Sequence, residues 1–327
     1  MRGSSGRLAI DPFSATEDDY SGYVALKRRV WTHEVLSVAS QRESDSRTDG
    51  SQYSARLLAR RGGAVIGAAD VYSLPFSADA HRFGFMVIVD PEGRRRRVGT
   101  SLWRHITDDL ELGAVTGWES AAWEGDPSGA AWLRHLGFEL GSTHQMSELD
   151  LATVDTSGFA GAIDAVEAAG VDLVAFGEYV ATTPDAAEAL YELAIELSCD
   201  VPWYEQVAKP ALAVWRAEFV DSDLILRDAS TVAVSGGRLI GQSTLMRDHH
   251  DPGILRTGLT GVVREFRRRG IARAMKMRAI VTAAAEARPP DGLRIQTGNA
   301  SQNPMLQANL RLGFVKQPAW QVFTRSV

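Results

Sequence analysis

The chain has one cysteine, Cys199, in 327 residues. That excludes an internal disulfide and fits a reducing compartment. A lone thiol in an ordinary sequence context reads as a small buried hydrophobe rather than a nucleophile. No apolar run approaches the roughly 18 residues of a membrane span. The opening stretch, MRGSSGRLAIDPFS, lacks the apolar region of a signal peptide. Positive charge is not in excess: 35 Lys and Arg stand against 41 Asp and Glu, a net charge of −6. Non-specific nucleic-acid binding is therefore not expected, and the arginine runs are local features. The expectation is a cytoplasmic protein with neither membrane nor nucleic acid as partner, and with no metal.

What is present is ordinary globular material. Hydrophobic residues make up 45% and charged residues 23%, enough for two cores at roughly 150 residues per domain. Thr16 or Ser14 caps a helix through Tyr20, Val24, Leu26 and Val30. Residues 40–51 read as a polar loop. A hairpin runs over 55–60 and 65–72, turning at Arg61-Gly62-Gly63. A strand over 83–89, a helix over 100–112, a strand over 115–123, a short helix over 128–136 and a strand over 144–149 follow. Residues 152–171, small and polar with alanine-rich helical character, read as a linker. The order then recurs: a strand over 172–176, a helix opened by Pro184, a helix through Val207, Leu212 and Trp215, a hairpin turning at Ser235-Gly236-Gly237, and a strand–helix pair after 293. Gly67 and Gly241 are 174 apart, Gly99 and Ala272 173 apart, and Gly137 and Gly313 176 apart. Landmarks at one offset make this an internal repeat, with domains at 1–151 and 172–327.

The most informative stretch is 260–276, TGVVREFRRRGIARAMK. It begins as a strand and ends as a helix, joined at Arg267-Arg268-Arg269-Gly270. A strand turning sharply into a helix leaves unpaired N–H groups at the positive end of the helix dipole. Gly270 permits close backbone approach, and arginines suit phosphate oxygens. A basic run at such a junction is equally common as a solvated face. Downstream, residues 297–314 read TGNASQNPMLQANLRLGF. An Arg-x-x-Gly-x-Ala loop after a strand, followed by a helix ending in Leu-Gly-Phe, resembles the GNAT superfamily of N-acetyltransferases.

The resemblance implies an α/β fold of two tandem GNAT-like domains. Each would be a mixed sheet splayed between its fourth and fifth strands and flanked by helices, with acetyl-CoA as acyl donor in the gap. It places Arg267, Arg268, Arg269, Gly270, Ile271 and Ala272 on the pyrophosphate, and Val262 or Val263 as the main-chain donor to the thioester carbonyl. Asn299 and Asn303 would bond the pantetheine; Asn303-Pro304 reads equally as a helix cap. In the first repeat Arg97 stands where the loop has its glycine, so the working site is expected in the second. Where the family has its tyrosine acid, this chain has Asn309, and Leu133 in the first repeat. Neither delivers a proton as a phenol does; Asn309 is a candidate to donate a hydrogen bond to the sulfur instead, with water as the other proton source. The 255–263 strand has no carboxylate base, which leaves Asp200, His249, His250 and Asp251 as candidates. The acceptor is expected to be a small-molecule amine. Another acyl-CoA, a donor carried on an acyl carrier protein, and a non-catalytic acyl-CoA sensor stay open, as do monomer and homodimer.

Overall fold

The computed structural model describes residues 6–32, 36–46, 53–74, 77, 79–201, 209–286 and 292–327. In chain order the first elements are β1 (Leu8–Pro12), α1 (Glu17–Val30), α2 (Val38–Ser46), β2 (Ser54–Arg61), β3 (Ala64–Ser73), β4 (Arg82–Val89), α3 (Val98–Asp108), β5 (Gly117–Trp123), α4 (Pro127–His135) and β6 (Glu139–Asp150). Then come α5 (Phe159–Ala168), β7 (Asp172–Ala175), α6 (Phe176–Thr182), α7 (Ala186–Ser198), α8 (Leu212–Trp215), β8 (Thr231–Ser235), β9 (Arg238–Arg247) and β10 (Ile254–Val262). The chain closes with α9 (Ile271–Glu286), β11 (Arg294–Ala300), α10 (Pro304–Arg311), β12 (Val315–Lys316) and β13 (Trp320–Ser326).

Two compact units result. The first holds residues 1–142 with 249–251 and 320–327; the second holds 143–248 and 252–319. In the first, β1, β2, β3 and β4 pair antiparallel, β4 pairs β5 in parallel, and β13 closes the edge on β5. Alternation along β4 splits its side chains between two cores. Phe85 packs with Leu102, Trp103 and Ile106 of α3, while Ile88 packs with Tyr23 and Leu26 of α1. Thr16 caps α1 as expected, its side chain accepting from Asp19 N.

The second unit repeats the plan. β7, β8, β9 and β10 pair antiparallel, β10 pairs β11 in parallel, and β6 closes the edge on β11 from His144 onward. Gly67 and Gly241 mark the same place in the two copies. A Cβ on Gly67 would meet Val98 and Leu102 of α3, and one on Gly241 would meet Met275 of α9. Leu102 and Met275, both fully buried, are the matching core residues. Each contributes on the order of 1.5–3 kcal/mol by leaving water.

Three stretches differ from the sequence reading. Residues 40–46 of the expected 40–51 loop belong to α2, which has no apolar stripe and is held by polar contacts. Lys27 donates to Gln41, and Asp45 pairs with Arg56. Residues 152–171 are not a bare linker: they contain α5, whose Phe159 and Val166 are buried in the cores that α9 builds. Cys199 is exposed, not buried, at the C-cap of α7. The expected helix through Val207 is seen as α8; Val207 and Pro202 lie outside the described residues.

Candidate active site

In the second unit β10 and β11 pair only at Ile254–Arg256 with Arg294–Gln296. Beyond Thr257 and Thr297 they part, and a cavity of about 760 Å³ opens along the gap. A β-bulge marks the start of the splay. Thr257 pairs Leu245 and Thr260 pairs Ser243, so Gly258 and Leu259 together face Thr244. Glycine is required at 258, where a Cβ would lie 2.3 Å from Thr244 Oγ1. At the other end of β10, Val263 N–H donates to Ile240 O at 2.9 Å. Successive N–H groups on a strand point to opposite sides, so the Val262 N–H faces the gap. The Val262 carbonyl faces it too and accepts from Arg267 Nε at 2.9 Å.

The loop then turns through left-handed conformations at Arg268 (φ 62°) and Gly270 (φ 81°). The first helical bond of α9 runs from Ala274 N to Gly270 O. That leaves the N–H groups of Ile271, Ala272 and Arg273 open at the mouth of the cavity, a place suited to an anion.

The first unit has the same gap with different walls. β4 and β5 pair from Arg82–Gly117 to Phe85–Ser120 and then part. Arg95 (φ 61°) and Arg97 (φ 64°) copy the left-handed turns of Arg268 and Gly270. Arg94 Nε reaches the Val89 carbonyl as Arg267 reaches Val262. The loop backbone therefore survives without its glycine, at a strain on the order of 1 kcal/mol. β4, however, runs without a bulge. Its cavity is about 360 Å³, walled by Trp31, Trp123, Trp132 and Trp320 and entered by Arg97.

The sequence profile of the acetyltransferase (GNAT) family matches residues 17–138. Residues 17–138 are a GNAT acetyltransferase domain. A tandem GNAT protein from the clavulanic acid biosynthesis pathway superposes over 98% of each chain at TM-score 0.76 and 22% identity. A GCN5-related N-acetyltransferase from Sphaerobacter thermophilus covers 98% of this chain and 95% of its own at TM-score 0.71 and 14% identity. A fungal GCN5-related glucosamine N-acetyltransferase region also covers 98% of this chain, at TM-score 0.71 and 12% identity, over 38% of its own length. The whole chain thus has the tandem GNAT fold. No curated protein matches its sequence.

Against this GNAT frame, the cavity of the second unit gathers most of the residues singled out from sequence. Val262, Arg267, Arg268, Gly270, Ile271, Ala272, Asn299, Asn303 and Asp200 all line it. Val263 does not, because its N–H belongs to the sheet. Arg269 does not either: it donates to Glu265 O and stacks over Phe266 at 4.9 Å. Asn303 is the cap of α10, its Oδ1 accepting from Met305 N at 2.9 Å. Asn309 lies fully buried beneath the cavity wall, its amide donating to Asn299 Oδ1 at 2.8 Å. Asp200 pairs with Arg264 and Arg267, and hydrogen bonds from those two hold its carboxyl down to about 2. Such a carboxylate is a weak proton acceptor near neutral pH. His250 lines neither cavity, and the turn 249–251 groups with the first unit.

Sequence reasoning missed Lys276. It sits at the buried face of α9, 4% exposed, and lines the gap. Burial holds its pKa down to about 8. The signal was available: aligned with the repeat, position 276 falls on Trp103.

Proposed function

We infer that the chain is an acyltransferase whose second unit binds acetyl-CoA between β10 and β11 and acetylates a primary amine of a small molecule. The observation that carries this reading is the ordered series of groups along one cavity. Open N–H groups of α9 stand at one end for the pyrophosphate. The Val262 N–H and the buried Asn299 follow along the walls, and the bulged apex lies beyond.

The chemistry asks little covalently of the protein. The thioester carbonyl must be stabilised as it gains charge, the amine must lose a proton, and the thiolate must gain one. A main-chain N–H facing the gap serves the first need without reorganisation. No carboxylate is placed for the second, so water is the acceptor in this reading. The acetyl donor and the amine acceptor rest on the family chemistry of GNAT proteins. No metal is invoked.

Two observations favour a second reading, in which the first unit also holds a CoA. Arg97 takes the left-handed turn that the loop needs, and the family profile matches that unit. The smaller cavity, the tryptophan walls and the unbulged β4 favour a non-catalytic role for it. Thiol release from acetyl-CoA against a panel of amines tests the activity, with Gly270→Glu and Arg97→Glu chains showing which loop it needs. Loss with G270E alone supports the reading; loss with R97E alone overturns the assignment to the second unit.

A further inference from the structure

Lys276 and Trp103 occupy the same place in the two units. Each is the sixth residue of the helix that follows the loop. Trp103 packs on Phe85, Trp118 and Phe138 with centroid separations of 4.8, 5.2 and 5.6 Å. The fold therefore asks only for apolar volume at this position. The second unit has an ammonium there instead, 5.7 Å from the ring of Phe314, the counterpart of Phe138. Among the described residues Lys276 makes no hydrogen bond and no ion pair. A buried charge without a counter-charge is costly, and nothing in the packing requires it.

Its surroundings point to a ligand. Lys276 shares the gap with Thr257, Thr297 and Asn299, where β10 and β11 part. A pyrophosphate at the N-terminus of α9 would lie about five residues, or roughly 7.5 Å of helix, from the Lys276 Cα. Lys276 thus lines the gap more than one helical turn beyond the anion site, on the side of the pyrophosphate toward which the acyl arm of the donor would run.

We propose that Lys276 is a catalytic residue of the second unit, its ammonium facing the thioester sulfur and delivering the proton that the departing thiolate takes. The proposal rests on the acyl-CoA reading above. The amine nitrogen attacks the carbonyl carbon and a C–N bond forms. The tetrahedral intermediate collapses, the C–S bond breaks, and sulfur keeps the electron pair. Sulfur takes a proton from Lys276 Nζ and leaves as free thiol. Nitrogen sheds its proton to water, and Lys276 regains one from solvent. The balance is thioester plus amine to amide plus thiol. A lysine held to about 8 is mostly protonated at neutral pH. It lies close to a free thiol at about 8.5, so the transfer is nearly thermoneutral.

In the cavity, Asp200 is neutralised by Arg264 and Arg267, and Arg268, Arg273 and Arg311 are exposed cations. On the elements packed against α9, Arg238 and Arg256 are exposed and paired to Glu265 and Asp248. Arg247, and Asp164 and Glu167 of α5, are exposed. Glu148 of β6 sits opposite Gln296, on the sheet face away from Ile295 and the α9 core.

The test titrates the thiol of bound CoA by its ultraviolet thiolate absorbance, with S-methyl-CoA as baseline, in the full chain and in Lys276→Met and Lys276→Arg. The G270E chain isolates the signal of the second unit. The expected result is a bound thiol more acidic than free CoA in the parent and in K276R, and at least tenfold less acidic in K276M than in the parent. Amine acetylation by K276M should fall ~10²–10⁴-fold. The limb of kcat/KM that falls as pH rises through about 8 should disappear. An equal thiol pKa in parent and K276M, with CoA bound in the second unit, overturns the role of Lys276 alone. CoA that fails to bind, or binds equally to G270E, overturns the acyl-CoA reading and this proposal with it. A thermal melt confirms that K276M, a near-isosteric change, is folded.

Discussion

Asn309 and Asn299 form a hydrogen-bonded pair beside the gap, with Asn309 Oδ1 left without a partner. The amide of one donates to the carbonyl of the other at 2.8 Å, and neither side chain is more than 7% exposed. Asn299 lines the cavity and Asn309 stands behind it, so Asn309 acts on a ligand only by holding Asn299. Asn309→Ala removes the donor and leaves Asn299 Oδ1 unsatisfied. The expected cost is ~1–3 kcal/mol of stability, read from urea unfolding. Turnover should fall by about tenfold or less, the scale of one neutral hydrogen bond. A drop beyond a thousandfold at unchanged acetyl-CoA affinity would place Asn309 in the chemistry itself.

Lys276 makes a prediction on stability as well as on rate. Its pKa is about 8 in the fold, against 10.5 unperturbed. Between those values the unfolded chain binds more protons than the native one, so this group makes stability rise with pH. Below pH 8 the native state carries the full cost of the buried charge, roughly 3 kcal/mol at 1.36 kcal/mol per pKa unit. K276M should therefore be more stable than the parent at pH 7, and the difference should shrink as pH rises from about 8 to 10.5. Urea unfolding of both proteins at pH 7 and pH 10 checks this. A difference that stays constant or grows with pH would contradict a buried, unpaired lysine.

Asp200 is expected to tune the loop rather than move protons. It stays ionised throughout the neutral range, because its carboxyl is held down to about 2 by Arg264 and Arg267. Asp200→Asn frees Arg267 toward an anionic ligand and should bind CoA as tightly or a few-fold more tightly. The pH profile of turnover should keep its shape. A loss of ~10²–10⁴-fold, with the acidic limb gone, would make Asp200 the general base after all.

Much of this was legible in the sequence, for physical reasons. The repeat showed because both copies need a small residue where the hairpin meets the helix after the loop, at Gly67 and Gly241. The loop showed because a left-handed turn favours glycine, as at Gly270. That same rule overstated the difference between the units, since Arg97 adopts the turn regardless. The partners of the closing strands were not legible: β6 pairs β11, and β13 pairs β5, over sequence separations that local pattern cannot encode. Helix α2 was hidden because Gln41 and Asp45 hold it by polar contacts rather than by an apolar stripe. Lys276 was hidden because a lysine in a helix usually marks a solvated face. Only its alignment with Trp103 shows that this face is buried.

In the proposed reading one acyl-CoA site works in this chain, and it lies in the second unit. Isothermal titration of the full chain with acetyl-CoA, repeated on Gly270→Glu, tests it most directly. The carboxylate of G270E would stand among the open N–H groups of α9, at an exposed loop position where it leaves the core untouched. The expected result is one tight site per chain in the parent and none in G270E, which stays folded with a melting temperature lower by about a few degrees, because a side chain at the left-handed Gly270 (φ 81°) carries strain on the order of 1 kcal/mol. Two equal tight sites in the parent, or a tight site that survives in G270E, would contradict it.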